Sequence, residues 1–182
     1  THLRQLASLH DGEIDRTLAG LWPGLGAPPE EKQKALAAAR LRFAPTHLSK
    51  ADPAAGRPVF LQTCGACHRL NGEGGEVGPD LTGSDRGNLD YLLDNILDPS
   101  GVVPENYRLS TLTLRDGRVI NGIVGLKTGL TTTVRTPTEK LTLERSEIES
   151  IQESSLSLMP EGLLNALSDE QARNLIAYLM AR

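Results

Sequence analysis

The sequence predicts a mainly α-helical fold with a small antiparallel β segment inserted into it. Three observations predict this. Apolar residues recur at helical spacing near the start of the chain, in residues 88–98 and at its end. Residues 107–151 switch to short alternating stretches rich in threonine. Between the first helices and this switch lie a five-residue motif, Cys64-Gly65-Ala66-Cys67-His68, and a glycine-rich run.

Residues 1–50 read as a helical N-terminal extension. Leu3, Leu6 and Leu9 make a short stripe, and Ile14, Leu18, Leu21 and Trp22 a second one. Pro23 stops it. Pro28-Pro29-Glu30-Glu31 opens a third helix with proline and acids in its first turn, and Leu36, Ala39 and Phe43 give its inner face. Ala44-Pro45-Thr46-His47 reads as a linker. Asp52-Pro53 then forms an N-cap and N1 pair. Pro58 removes a helical hydrogen bond, so this helix starts late or bends.

Residues 88–98 place Leu89, Leu92, Leu93, Ile96 and Leu97 on one helical face, ended by Pro99. In residues 107–151, Leu109, Thr111 and Thr113 lead into a turn at Asp116-Gly117, then Val119-Ile120 and Ile123-Val124. Leu130 to Val134, Leu141 to Leu143 and Ile148 to Ile151 follow. Four or five antiparallel strands, curled or barrel-like, are expected. Ser168 and Gln171 make a capping box for a last helix with Ala172, Leu175, Ile176 and Leu179 on its inner face.

Cys64-Gly65-Ala66-Cys67-His68 reads as a C-x-x-C-H haem attachment site. Two thiols three positions apart can each add to a vinyl group, and the adjoining imidazole of His68 is then in place to ligate the iron. These are the only two cysteines in the chain. A zinc site needs four ligands and finds no second Cys/His pair at useful spacing. A thioredoxin-like pair wants a βαβ setting, which is absent. Aromatic residues make up 3% of the chain, so a buried haem would supply volume that large side chains usually fill. Without the β segment, residues 52–182 retain 86 residues, a small core for a domain lacking disulfides or a metal.

Of the two methionines, Met180 falls in the last turn of the final helix. Met159 lies in a loop fixed by Pro160, where a thioether can reach a buried iron. The alternative is that Met159 packs on the haem and leaves the iron open. His2, His10 and His47 all precede the haem region. The glycine-rich run, Asn71 to Leu81, lacks the strand and Gly-Lys-Ser/Thr element of a phosphate cradle and reads as backbone folded closely over something flat.

Residues 52–182 resemble a class I cytochrome c module. The resemblance rests on the attachment motif, Gly78-Pro79-Asp80-Leu81, Met159-Pro160, and Leu167-Ser168 opening a helix that ends Tyr178-Leu179. Within that class they are similar to the haem-binding domain family described in Planctomycetes and Verrucomicrobia. The blocks that carry this are Gly78 to Gly83, Tyr91 to Ser100, Asp116-Gly117-Arg118 and Ser157 to Leu163.

The resemblance implies a class I cytochrome c fold over residues 52–182 with the β insertion at about 107–151. It implies one covalent haem c, its iron bound by His68 and Met159, with the Pro79 carbonyl orienting the His68 ring. It also implies that Gly56, Phe60 and Tyr178 form a structural crossing of first and last helices. The expected role is periplasmic one-electron transfer, with a redox partner protein or a fused dehydrogenase domain, and no catalysis by this domain itself. A haem sensor with a displaceable Met159 is an alternative, as is a docking or homodimerising module that uses the β insertion.

A net charge of −4 without a basic block argues against nucleic acid. No run has the apolar length to span a bilayer. The chain starts at Thr1, and a processed or excised fragment is expected.

Overall fold

The computed structural model describes residues 11–21 and 30–181. The Leu3, Leu6 and Leu9 stripe, His2, His10, Trp22 and the Pro28-Pro29 pair lie outside the described residues. The chain divides into two compact units. One comprises Thr1–Val59, Asp85–Val102 and Glu161–Arg182, the other Phe60–Ser84 and Val103–Pro160.

The first unit is helical. Helix α1 spans Gly12–Leu21 and α2 spans Glu30–Arg42. Asp11 caps α1, its carboxylate accepting from the Glu13 and Ile14 amides. Acids in the first turn of α2 and arginines in its last turn oppose the helix dipole. The expected linker is instead one helical turn, α3 (Pro45–Leu48), started by proline at N1. Helix α4 (Pro53–Thr63) begins here and ends in the second unit. It starts at Pro53 with Asp52 accepting from the Ala54 amide at 2.8 Å, and it runs through Pro58, so it does not start late.

Helix α5 (Leu89–Leu97) is capped by Asn88, which accepts from the Tyr91 amide, and it buries Leu92 and Leu93. Helix α6 (Asp169–Met180) begins at the Ser168/Gln171 capping box and buries Ala172, Leu175, Ile176 and Leu179, the face its periodicity predicts. Helices α4 and α6 meet at Gly56. A Cβ there would stand 2.6 Å from the Cβ of Tyr178 and run into the Asn174 backbone. One polar link supports this contact, and another ties Arg86 to the end of α6. The Asp52 amide donates to Asn174 Oδ1 at 2.9 Å, and the buried Arg86 guanidinium donates to the carbonyls of Leu179, at 2.9 Å, and Ala181.

The second unit holds two sheets. The small one pairs β1 (Arg69–Leu70) with β2 (Glu73–Gly74) around Asn71-Gly72. Both turn residues have positive φ, 52° and 85°, as a two-residue type I′ hairpin requires. The large one has the antiparallel order β6-β5-β4-β3-β7. Its strands are β3 (Arg108–Leu114), β4 (Val119–Lys127), β5 (Thr131–Arg135), β6 (Lys140–Glu144) and β7 (Ile148–Ser157). Gly117, at φ 87°, makes the β3–β4 turn. Alternation along the strands buries Leu112, Leu114, Val134, Leu143 and Ile148 as one core, with Ile120, Val124, Leu141 and Ile151 packed on it.

The expectation of a mainly α fold is therefore corrected. Of the described residues, 42% are helical and 25% are strand. The β segment is a five-stranded sheet with its own core, which a minor insertion would not have. Strand β7 runs to Ser157, beyond the expected end at 151, because pairing with β3 continues as far as Arg108 and Ser157. Among the described residues no ladder pairs β6 with β7, so the sheet is not a closed barrel, although one core draws on Leu143 of β6 and Ile148 of β7.

Candidate haem-attachment site

The site is assembled where α4 ends. The Cys64 amide still donates to Phe60 O at 2.8 Å, as a helix would continue, but Gly65 turns back to the same carbonyl. A Cβ on Gly65 would sit 2.7 Å from Leu61 O. The Cys67 and His68 amides both donate to Cys64 O, at 3.1 and 2.9 Å, which closes the motif into a compact turn. Cys64, Cys67 and His68 are all half-buried.

Burial raises the pKa of both thiols. It pushes Cys64 up to about 11, with the neighbouring Cys67 sulfur adding a smaller repulsive contribution, and it pushes Cys67 up as well. Reactive redox pairs depress a thiol pKa instead. Both shifts keep the cysteines as thiols and not thiolates at physiological pH.

The glycine-rich run folds over the turn as a strap. The Gly75 amide donates to Gly65 O and the Gly78 amide to Cys67 O, each at 2.8 Å. Side chains are excluded along it. A Cβ on Gly74 would strike His68 O, and one on Gly75 would strike Ala66 O. A Cβ on Gly78 would lie 2.6 Å from Cε1, 2.9 Å from Nδ1 and 3.1 Å from Nε2 of His68. The flat object that the strap covers includes the His68 ring.

His68 Nδ1 lies 2.9 Å from Pro79 O. A carbonyl only accepts, so this bond places the ring proton on Nδ1 and leaves the Nε2 lone pair for a metal. The turn therefore presents one imidazole nitrogen and two neutral thiols, with a glycine wall on one side of the ring. This donor set fits a haem joined by two thioethers and ligated by one histidine. Among the described residues, no group of three or more His, Cys, Asp and Glu side chains is placed to hold a metal ion.

Residues 53–101 match the cytochrome c family model. The matched segment runs from α4 through α5 and contains Cys64, Cys67, His68 and Pro79. It supports a cytochrome c family, and with it covalent haem binding and electron transfer; the large sheet and Met159 lie beyond it. No curated protein matches the chain.

The structure thus brings together Cys64, Cys67, His68 and Pro79. Met159 follows the end of β7, outside helix and strand. It is half-buried, and its amide donates to Ser157 Oγ at 3.1 Å. It belongs to the same compact unit as His68. Met180 closes α6. His47 lies in α3, in the other unit, with its Nδ1 3.2 Å from Arg42 O.

Sequence reasoning missed two residues at this site. Gly78 contacts the ring directly, and its position before Pro79 was the available signal. Arg135, on β5, donates to the strap at Glu76 O at 2.9 Å, and nothing in its local sequence marks it.

No helix among the described residues is long and apolar enough to cross a membrane.

Proposed function

We propose that the chain carries one haem c, attached through Cys64 and Cys67, with its iron held by His68 and Met159, and that it transfers single electrons. The observation that carries this reading is the 2.9 Å contact between His68 Nδ1 and Pro79 O, which leaves the Nε2 lone pair unprotonated in the same turn that holds Cys64 and Cys67. A bound haem supplies a one-electron Fe(III)/Fe(II) couple. The chain's own residues do the rest. Cys64 and Cys67 fix the group, Pro79 sets the tautomer and orientation of His68, and Gly78 packs on the ring. The Met159 thioether favours Fe(II) and raises the potential.

The reading extends to a periplasmic location and to a redox partner or fused dehydrogenase domain, as in the haem-binding domain family whose sequence blocks the chain resembles. Spectra with and without CO test it. A six-coordinate iron gives no CO shift, whereas rapid CO binding to the unaltered chain would make this a small-ligand-binding module. Met159→Ala is expected to lower the reduction potential and open the iron to CO; an unchanged titration removes Met159 from the ligand set. Haem that resists acid extraction after Cys64→Ala with Cys67→Ala would refute the attachment.

A further inference from the structure

The strap that covers the motif is held from both sides. On its inner side, three bonds tie it to the motif. They are Gly75 to Gly65 O, Gly78 to Cys67 O, and the His68 ring to Pro79 O. Between the first two lies Glu76, whose carbonyl points away to Arg135 Nη1 at 2.9 Å.

Arg135 closes β5, where it pairs with Ile123 of β4 and Lys140 of β6. Its backbone is fixed by two ladders, so the guanidinium extends from a rigid base. The side chain is also aimed. Nη2 lies 3.4 Å from Asn106 O, and the guanidinium carbon stands 5.6 Å from the centre of the Tyr107 ring. The Glu76 side chain pairs with Arg69 Nη2 at 2.7 Å, so this one residue is held by its carbonyl from the sheet and by its carboxylate from β1.

We propose that Arg135 is a positioning residue for His68. It acts through the strap, so that the large sheet braces the ligand side of the haem site. This rests on the reading of His68 as the iron ligand. The chemistry suits arginine specifically. A planar fork donates to two carbonyls and stacks on an aromatic ring at once, whereas a lysine ammonium is a point charge without that geometry. Loss of the fork frees Glu76 O, two residues before Gly78 and three before Pro79. The strap then loses its outer tie, and the inner bonds at Gly78 and His68 open more often.

The experiment uses the full haem-loaded chain in the reduced state and follows hydrogen exchange of the Gly78 amide and of the His68 Nδ1–H by NMR. Arg135→Ala is expected to speed both at least about tenfold, the factor expected for losing one hydrogen bond made by a charged donor. Arg135→Lys is expected to recover only part of the protection. Arg118→Ala, on the β3–β4 turn where Arg118 pairs with Asp116, is the control for general weakening of the sheet and leaves both rates unchanged. Unchanged exchange in Arg135→Ala overturns the proposal, and so does equal acceleration in Arg118→Ala. Haem content is measured on the same samples. A chain without covalent haem contradicts the functional reading, while Gly78 exchange in that chain still decides whether Arg135 holds the strap.

Discussion

Replacing Gly78 by alanine adds one methyl group directly against the His68 ring. The new Cβ stands 2.6 Å from Cε1, 2.9 Å from Nδ1 and 3.1 Å from Nε2, so the ring or the strap must move. The backbone at Gly78 is not in the left-handed region, so the clash itself carries the cost. In a haem-free chain the ring is the free end of a side chain. It turns away at the loss of its bond to Pro79 O, a cost of about 1 kcal/mol. With iron on Nε2 the ring is held at both nitrogens and cannot turn, so the strap must shift instead and gives up the Gly78 amide bond to Cys67 O, again about 1 kcal/mol. Overpacking against a fixed neighbour then costs about 1–3 kcal/mol in addition. Gly78→Ala should therefore destabilise the haem-loaded chain by about 2–4 kcal/mol and the haem-free chain by about 1 kcal/mol. Urea titration of both forms, followed by circular dichroism, gives the two differences. Equal losses in the two forms would refute the reasoning, because they would mean that iron does not fix the ring the methyl strikes.

Other substitutions test the remaining contacts. Gly56→Ala places a methyl against the Asn174 backbone and Tyr178 Cβ, where no flexible side-chain end can yield, and should cost about 3 kcal/mol in urea titration. Ser168→Ala removes one half of the α6 capping box and should cost about 1 kcal/mol, seen in the same assay. In the haem-free chain, burial raises the folded-state pKa of Cys64 above its unfolded value. The stability this group contributes is complete below about pH 8.5 and is lost as pH rises to about 11. A thioether does not titrate, so the loaded chain should show no such fall between those limits. Thermal melts across this range distinguish the two forms, and a parallel decline in both would place the effect elsewhere.

Much of the chain could be read locally. The α6 capping box and its buried face, the leucine face of α5 and the strands around Asp116-Gly117 depend on near neighbours, and the structure has them where the periodicity puts them. The linker at residues 44–47 was misread because a four-residue helix is too short to show a period. The weight of β structure was misjudged for a different reason. Strand segments are visible singly, but whether they decorate a helical domain or build a core depends on which strands pair. Leu112 on β3, Val134 on β5 and Leu143 on β6 form one core only once the order β6-β5-β4-β3-β7 is set.

By itself, the sequence determined the spacing on which the proposed attachment rests. Two thiols three positions apart and an adjoining imidazole are a matter of covalent spacing, and no distant residue alters it. Tertiary structure decided how that imidazole is presented. His68 can turn freely about its side-chain bonds until Gly78 packs on its ring and Pro79 O accepts its Nδ1 proton, 2.9 Å away. Only folding brings Arg135 to Glu76 O, from a strand far along the chain. The physical reason is that spacing along a chain fixes which groups are neighbours, while the direction in which a side chain points is set by whatever packs around it.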